Sequence, residues 1–531
     1  MWSQLFYNTG KLARFQLRLD RLRIPIWLLS LAIVTIATAM ALTDLYKTDQ
    51  DRQGIAETMV NPAMTAMVGK GYGLDNYTNG AMMAHQMLLF TAITVAIMSI
   101  LLVARHTRAA EEDGRIEMIR SLPSGRLANL HATICNLIGT NVVLALIIGL
   151  GLYSLRIESM DLEGSILYGA ALGATGILFT AITALFAQLS ESSRGTIGFS
   201  FTVLGIAYLV RAIGDVGNET LSWFSPLGWV LGTETYVTNY WWPILLTIGV
   251  ALAIILLTFY LNAIRDIEAG FFPSKPGRKH ASRFLQSPFG LALRLQRTGL
   301  ISWAVGVFIL GVSYGSILGD LESFSAEIEL ILTPVEGVSL VEQFLPMLMS
   351  IIAMICTIPA LMALFKLKGE EKKNRTEHLL VRAVSRRRLL ASYFIISIVV
   401  SFVMLSLAAI GLGVAGNSVM DEKIVFSTFY NAAMVYLPAM WIMIGIGVLL
   451  IGIAPKVTGL TWLYLVYSFI VVYLGGLFQF PEWVGKISPY AHIPQLPIED
   501  MDFAKASILT VIAAVTIFIG FIGYRKRDIQ G

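Results

Sequence analysis

The sequence is short of charged residues. Asp, Glu, Lys and Arg together make up 14% of its 531 residues, whereas a soluble globular protein has about 25%. Hydrophobic residues reach 56% and the mean hydropathy is +0.70, so the composition excludes a soluble fold and extensive disorder. A helix needs roughly 20 apolar residues to cross a bilayer, and a chain of this length holds about a dozen such helices with their connections. The composition therefore predicts an all-α polytopic membrane protein.

Cysteine is also scarce. The two cysteines, Cys135 and Cys356, both fall in apolar runs, which argues against a disulfide framework. No cluster of Cys and His has the spacing of metal ligands, so no metal site is predicted. The Gly-rich phosphate-binding pattern G-x-x-x-x-G-K-[ST] has no match either, because Gly69-Lys70-Gly71 lacks the first glycine and the hydroxyl residue. The sequence thus predicts no nucleotide site in this chain.

Twelve apolar runs are long enough to be spanning helices. They cover residues 24–43, 86–104, 130–155, 166–189, 195–213, 243–262, 301–319, 344–365, 391–414, 429–453, 459–478 and 505–524.

The distribution of Lys and Arg predicts the orientation of these spans. With a cytoplasmic N-terminus, 31 of the 39 basic residues fall in cytoplasmic segments, and 23 of the 35 acidic residues fall outside them. The positive-inside rule favours this arrangement strongly over its reverse. Both termini are therefore predicted to be cytoplasmic.

The chain contains an internal duplication. Four patches recur at offsets that fall from 276 to about 260 residues, because the first outer loop (44–85) is longer than its counterpart (320–343). The patches begin with Leu17–Arg21, Glu111–Glu117, Ser225-Pro226 and Arg265–Ile267, and recur at Leu293–Arg297, Glu370–Glu377, Ser488-Pro489 and Arg527–Ile529. The predicted domains are a first half of six spans with an N-terminal amphipathic helix (1–270), a cytoplasmic linker (271–284) and a second half of six spans (285–531). An even number of spans per half predicts a parallel repeat about an axis normal to the membrane.

One loop in each half carries acidic as well as basic residues. It follows the second span of its half, and helices are expected around 108–121 and 368–381. A solvated helix that only sets topology would need Lys and Arg alone, so the recurrence of acids favours a helix that docks on a partner protein. The candidate docking residues are Glu111, Glu112, Arg115 and Glu117 in the first half, with Glu370, Glu371, Arg375 and Glu377 in the second.

These features resemble the ABC exporter permeases with the ABCG-like (type V) transmembrane fold. The resemblance rests on the E-E-x-x-R-x-E pattern of Glu111–Glu117 before a Pro/Ser-Arg turn, on the basic amphipathic stretch 1–23, and on the Ser-Pro segment before the sixth span. The fused twelve-span form is similar to the polyketide-antibiotic (tetronasin-type) multidrug exporter permeases. The second half departs from the pattern, with Ala383-Val384-Ser385 in place of Pro123-Ser124-Gly125.

The resemblance implies a function and partners. The chain would be the permease subunit of an exporter in a bacterial cell membrane that moves hydrophobic drugs or antibiotics out of the cell. A separate homodimeric ABC ATPase would supply the energy and hold the ATP and magnesium, and the two loops would couple it to the spans. Membrane lipid is the other expected partner. Nucleic acid is not, because Arg386-Arg387-Arg388 lies next to a span and is better explained by topology or anionic lipid.

The resemblance also implies a substrate cavity and an outer gate. Helix packing or lipid contact explains most large side chains in spans two, five, eight and eleven, but some are expected to face a hydrophobic substrate. The candidates are Met87, Phe90, Phe199, Tyr208, Met347, Met354, Trp462 and Tyr467. Aromatic residues around Ser225-Pro226 and Ser488-Pro489 fit an interfacial belt, and the resemblance implies that both segments are also re-entrant helices of an outer gate.

Two other functions remain open. An ion-coupled secondary multidrug antiporter is the main alternative, although such carriers usually place Asp, Glu or His within spans and no Asp or Glu lies within the twelve apolar runs. A lipid-modifying membrane enzyme is less favoured, because no paired acids or histidines occur at a membrane face. Arg211 is expected to pair with Asp215 or to extend toward the outer interface.

Overall fold

The structure, a computed structural model, describes residues 2–266, 269–272, 279–319, 340–382, 384–420, 423–478 and 482–528. Part of the predicted linker and Ala383 lie outside these ranges. The chain forms two compact units, Met1–Pro276 and Gly277–Gly531, and each unit has a hydrophobic core of its own.

The first unit is built from six long helices. An amphipathic helix, Thr9–Leu19, precedes them. The six are α1 (Arg23–Leu45), α2 (Asn79–His106), α3 (Ala128–Ser154), α4 (Leu162–Leu189), α5 (Ser193–Gly217) and α6 (Trp242–Ile264).

The second unit has six long helices as well. A separate short helix, Phe426–Met434, precedes the fourth of them. The six are α7 (Pro288–Ile317), α8 (Leu340–Lys372), α9 (Arg386–Val419), α10 (Leu437–Ile453), α11 (Leu460–Phe478) and α12 (Phe503–Lys526).

The helices match the predicted spans. Within the described ranges, eleven stretches of helix are long and apolar enough to cross a membrane, and α11 lies at the place of the remaining predicted span. This confirms an all-α polytopic membrane protein. Several helices exceed the apolar run that predicted them. The longest extensions are in α7, which begins at Pro288 although its run begins at residue 301, and in α8 and α9. Charged residues beside each of these runs continue the helix beyond the hydrophobic segment.

Small residues determine which helices pack closely in the first unit. On α4, a β-carbon at Gly169 would lie 2.1 Å from the carbonyl oxygen of Ala145 on α3, and one at Gly176 would lie 2.0 Å from Asn141 Oδ1. Gly173, between them, would place its β-carbon 3.0 Å from that of Ala145, so these glycines let α4 approach α3 closely. As a result α4 is the most buried of the six helices.

The second unit uses a different close pair. On α7, a β-carbon at Gly311 would lie 2.3 Å from the Ala408 carbonyl oxygen, and one at Gly315 would lie 2.5 Å from that of Leu412. Both carbonyls belong to α9. Glycines thus bring α3 against α4 in the first unit. In the second they bring α7 against α9 and also α10 against α12, where a β-carbon at Gly452 would lie 2.1 Å from the Gly520 carbonyl oxygen, so the close contacts differ between the units.

The long loop between α1 and α2 is folded onto α5. Arg211, fully buried on α5, donates from Nη1 to the Thr65 carbonyl (3.2 Å) and from Nη2 to that of Ala66 (2.9 Å). The expected pair with Asp215 is confirmed at 3.2 Å. A guanidinium with a carboxylate and two carbonyl partners is well compensated for its burial. We call this folded loop, residues 46–78, the cap.

The close packing of α3 against α4 gives a stability prediction. Gly169→Ala places a methyl group against backbone that cannot move aside, and should destabilise the first unit by about 1–3 kcal/mol. Gly139→Ala on α3 is the matched control, because nothing lies within 4 Å of its β-carbon. Thermal unfolding of the purified chain in detergent measures both. Equal unfolding temperatures for the two variants would contradict the α3–α4 contact.

Candidate functional site

The two mixed-charge loops lie at one end of their units, which we call the basic end. In the first unit the loop comprises two short helices, Arg108–Glu112 and Arg115–Arg120. In the second, α8 continues to Lys372 and a short helix follows at Arg375–Leu380. Helices are thus present around 108–121 and 368–381, as expected, but they are interrupted. Each is broken by a residue with left-handed backbone, Gly114 (φ 70°) and Asn374 (φ 55°), and Gly and Asn are the residues that adopt this conformation most readily.

A buried carboxylate ties the first loop to the end of α6. Glu111 is 7% exposed. Its two oxygens accept hydrogen bonds from Nη2 of Arg265 at 3.1 and 3.0 Å, and Arg108 Nη1 donates to it at 3.1 Å. Arg265 directly follows the last residue of α6 and is its C-cap. The loop is therefore bonded directly to the last spanning helix of its half.

The second loop has the same attachment. Glu371 is 5% exposed and accepts from Arg527 Nη2 at 2.5 Å and from the Tyr524 hydroxyl at 2.7 Å. Arg527 directly follows the last residue of α12 and is its C-cap. A buried carboxylate with two charged or hydroxyl donors thus recurs at the corresponding place.

These contacts correct the register in which the two loops were matched. Glu371 corresponds to Glu111, because each bonds to the arginine at the end of the last long helix of its unit. The sequence pattern matched Glu371 with Glu112 instead. Two further contacts agree with the new register: Arg126 donates to the Arg265 carbonyl at 2.8 Å, and Arg386 donates to that of Arg527 at 2.5 Å. Removing one partner of such a buried pair typically costs about 3–5 kcal/mol, so both attachments are rigid.

The other predicted docking residues have different environments. Glu370 is buried and pairs with Lys366 (3.1 Å) and Arg375 (3.4 Å). Glu112 is exposed and accepts from the Ser193 backbone N–H at 2.7 Å, at the start of α5. Arg115 pairs with Asp113.

Glu117 and Glu377 are exposed at the basic end. Large apolar side chains lie beside them at the surface: Met118 is 64% exposed, Leu122 62% and Val381 88%. Each loop therefore has an inner side of buried ion pairs and an outer side of mixed acidic and apolar character.

The predicted cavity residues differ in exposure. Phe90 and Phe199 are exposed, and Met354 is buried in the core of the second unit. The others are partly buried: Met87, Tyr208, Met347, Trp462 and Tyr467.

Two of the predicted cavity tyrosines hold segments at the end opposite the basic end. The Tyr208 hydroxyl of α5 donates to the Met67 carbonyl of the cap at 3.1 Å. The Tyr467 hydroxyl of α11 donates to the Val484 carbonyl at 2.7 Å, within the short helix Glu482–Lys486. In both units, a tyrosine on the fifth helix fixes the backbone that lies over its end.

The Ser-Pro segments are short helical turns attached to spanning helices. Ser225 is the N-cap of Pro226–Leu231, and its hydroxyl donates to the Ala207 carbonyl of α5 at 2.6 Å. Ser488 is buried ahead of the turn Pro489–His492, in which the Tyr490 hydroxyl hydrogen-bonds to Thr357 of α8 at 2.7 Å. Proline at the first position of each turn fits its fixed φ and its missing N–H.

The residues that sequence reasoning missed are the partners of the buried carboxylates. Arg265 and Arg527 were noticed only as part of the repeat, and Arg108 and Tyr524 were not singled out. The sequence did contain a signal for these pairs. An arginine recurs next to a span in both halves, and a buried guanidinium needs a carboxylate partner.

Known proteins match the chain over almost its whole length. The family model described as "Multidrug efflux system permease Rv1217c, C-terminal domain" matches residues 11–261 and 285–525. The chain is 37% identical over 534 residues to a protein of Mycobacterium tuberculosis (strain ATCC 25618 / H37Rv) named multidrug efflux system permease protein Rv1217c, covering 99% of this chain and 96% of that protein. With its many apolar helices, the chain therefore belongs to this family of multidrug efflux system permeases.

Proposed function

We propose that the chain is the membrane subunit of an ATP-driven ABC exporter in a bacterial cell membrane, with both termini in the cytoplasm. It carries hydrophobic drugs or antibiotics outward, and a separate homodimeric ATPase, which holds the ATP and magnesium, supplies the energy. The observation that carries the proposal is the attachment of each basic-end loop to the last spanning helix of its half through a buried ion pair, Glu111–Arg265 and Glu371–Arg527.

Such an attachment suits the transmission of force. A protein that pushes on the outer side of a loop displaces Glu111 or Glu371, and the pair cannot stretch without exposing a buried charge. The movement therefore passes to the end of α6 or α12. In the first unit Arg108 extends the connection, because its Nε donates to the Ala187 carbonyl at the end of α4 (2.7 Å).

The outer side of each loop suits a protein partner. Glu117 and Glu377 supply charges that fix orientation and register, since charged contacts contribute to specificity more than to affinity. Met118, Leu122 and Val381 supply apolar area at the same surface. The eight predicted coupling residues thus divide into buried ones that transmit force and exposed ones that contact the ATPase.

At the opposite end, the two Ser-Pro turns are suited to an outer gate. The Ser225-Pro226 turn is held to α5, and the Ser488-Pro489 turn to α8, by a side-chain hydrogen bond. Each hydrogen bond contributes about 0.5–1.5 kcal/mol net, so these turns can shift without unfolding a span. Large side chains such as Phe90 and Phe199, exposed on α2 and α5, are available to a hydrophobic substrate.

The energy source can be tested directly. Host cells that lack both the permease and its ATPase are given this chain together with a Walker-A-bearing ATPase chain encoded in a reading frame next to its gene. Growth inhibition by a panel of hydrophobic antibiotics is then measured. We expect resistance that disappears when the Walker lysine of the ATPase is replaced by alanine. Resistance that survives this replacement but is lost with a protonophore would show an ion-coupled antiporter instead, and no resistance to any compound would also contradict the proposal.

The orientation is tested by cysteine labelling. With Cys135 and Cys356 replaced by serine, Glu158→Cys and Lys373→Cys introduce exposed thiols at opposite ends of their units. A membrane-impermeant maleimide should label position 158 in intact cells and position 373 only in inverted vesicles. Lys423→Cys is the control that should behave like position 158. Labelling of 158 and 373 from the same side would overturn the proposed topology.

Charge reversal on the outer side of the loops tests coupling. The double variant Glu117→Lys with Glu377→Lys should weaken ATPase binding by roughly tenfold or more, or allow ATP hydrolysis without drug export. The reason is that the new positive charges face an ATPase surface that is complementary to acidic side chains. Co-purification, ATPase activity and drug resistance measure these effects. The matched control is Glu158→Lys with Asp500→Lys, two exposed acids away from the loops, which should keep all three. Normal assembly and export by the loop variant would show that the loops only set topology.

A further inference from the structure

The basic end of the first unit contains a cavity behind its loop. Its volume is about 40 Å³, whereas one water needs about 10–15 Å³ of such space. The charged residues that line it come from the loop and from the end of α6: Glu111, Arg120, Arg126 and Arg265. The neutral lining includes Asn129 of α3, Gln188 of α4 and Asn262 of α6.

Among the described residues, positive charge exceeds negative charge in the lining of this cavity. Three guanidinium groups line it with one described carboxylate, that of Glu111, whose oxygens accept from Arg265 and from Arg108. Burial, and then the like charge of Arg126, lower the pKa of Arg120, while Glu111 opposes this shift and Arg265 adds to it. Gathering like charges in this way is unfavourable unless an anion joins them.

One donor at the cavity is left over. The Arg265 side chain is 7% exposed, and its Nε has no hydrogen-bond partner among the described residues. Its other two nitrogens are in use, since Nη1 donates to the Ala269 carbonyl at 2.8 Å and Nη2 donates to Glu111. Buried polar groups are rarely left unpaired. The Nε of Arg527 in the second unit also has no partner among the described residues, so both arginines can take a further acceptor, and the charge and space around Arg265 favour an anion there.

The second unit shows what makes the first one different. By the corrected register, Arg386 and Arg527 correspond to Arg126 and Arg265, but Leu380 stands where the first unit has Arg120. Tyr524 corresponds to Asn262, and its hydroxyl is bonded to Glu371. The first unit therefore has one more guanidinium and a smaller side chain at the same place, which together provide the charge and the space for an anion.

We propose that this cavity binds a phosphate group. Guanidinium groups form paired hydrogen bonds with phosphate oxygens, and the exposed position of Arg126 leaves the cavity accessible from the basic end. The phosphate is either free inorganic phosphate or the headgroup of an anionic phospholipid. Bound there, it joins the loop to α3, α4 and α6. The site requires neither the ATPase nor a drug, so it stands or falls independently of the proposed transport function.

Thermal unfolding of the full chain in neutral detergent tests the site. Inorganic phosphate should raise the Tm saturably, by roughly 2–4 °C at about ten times its Kd, and sodium chloride of equal ionic strength should not. Arg120→Leu, which installs the residue of the second unit, should abolish the shift. Arg115→Leu is the matched control, because Arg115 lies on the same short helix but does not line the cavity, and it should keep the shift.

A second variant covers the case in which Arg120→Leu does not fold. Asn262→Tyr fills the cavity with the side chain of the second unit without removing a charge, and should also abolish the phosphate shift. The two sources of phosphate are distinguished in nanodiscs of phosphatidylglycerol or phosphatidylcholine, in buffer without phosphate. If the ligand is a lipid headgroup, phosphatidylglycerol discs should raise the Tm and remove the response to added phosphate, and phosphatidylcholine discs should not. If the ligand is free phosphate, added phosphate should raise the Tm equally in both kinds of disc. A phosphate shift no larger than that of chloride, or one that both variants retain, would overturn the proposal.

Discussion

The buried pairing of a loop carboxylate with the arginine at the end of the last spanning helix organises the basic end of each unit. Glu111 and Arg265 are 154 residues apart, and Glu371 and Arg527 are 156 apart. Each pair closes its half, because it joins the connection after the second helix to the end of the sixth. A buried charge that loses its partner is costly, and this cost keeps the short loop helices in one position. The outer side of the loop can then vary in sequence without changing the attachment.

The two units share this attachment but differ in how their helices pack. In the first, Gly169 and Gly173 let α4 approach α3, and α4 becomes the central helix. In the second, a short helix, Phe426–Met434, is separate from α10, and Gly311 and Gly315 bring α7 against α9 instead. Close backbone contact requires a residue without a side chain. The positions of a few glycines therefore decide which helix is central.

Sequence reasoning predicted the spans well, because a spanning helix needs a long apolar run. It also located both loops, but not the roles of residues within them. Glu111 and Glu112 are adjacent and chemically identical, yet Glu111 bonds to Arg265 and Glu112 to Ser193, since successive residues of a helix point about 100° apart. The tethers of Tyr208 and Tyr467 were beyond prediction as well. Their hydroxyls bond to carbonyls 141 and 17 residues away, and a backbone carbonyl has no signature in sequence.

The cap lies on the first unit at the end opposite its loop. Arg211 and Tyr208 hold it to α5 through three carbonyl groups, those of Thr65, Ala66 and Met67. The cap and the Ser225-Pro226 turn are both bonded to α5, whereas the loop attachment at the opposite end joins α6, the neighbour of α5 in sequence. Displacing α5 requires breaking the hydrogen bonds of a buried guanidinium, each of which contributes about 1.5–3 kcal/mol. The cap therefore adds a charged tether to the hydroxyl tether of the Ser225-Pro226 turn at this end of the first unit.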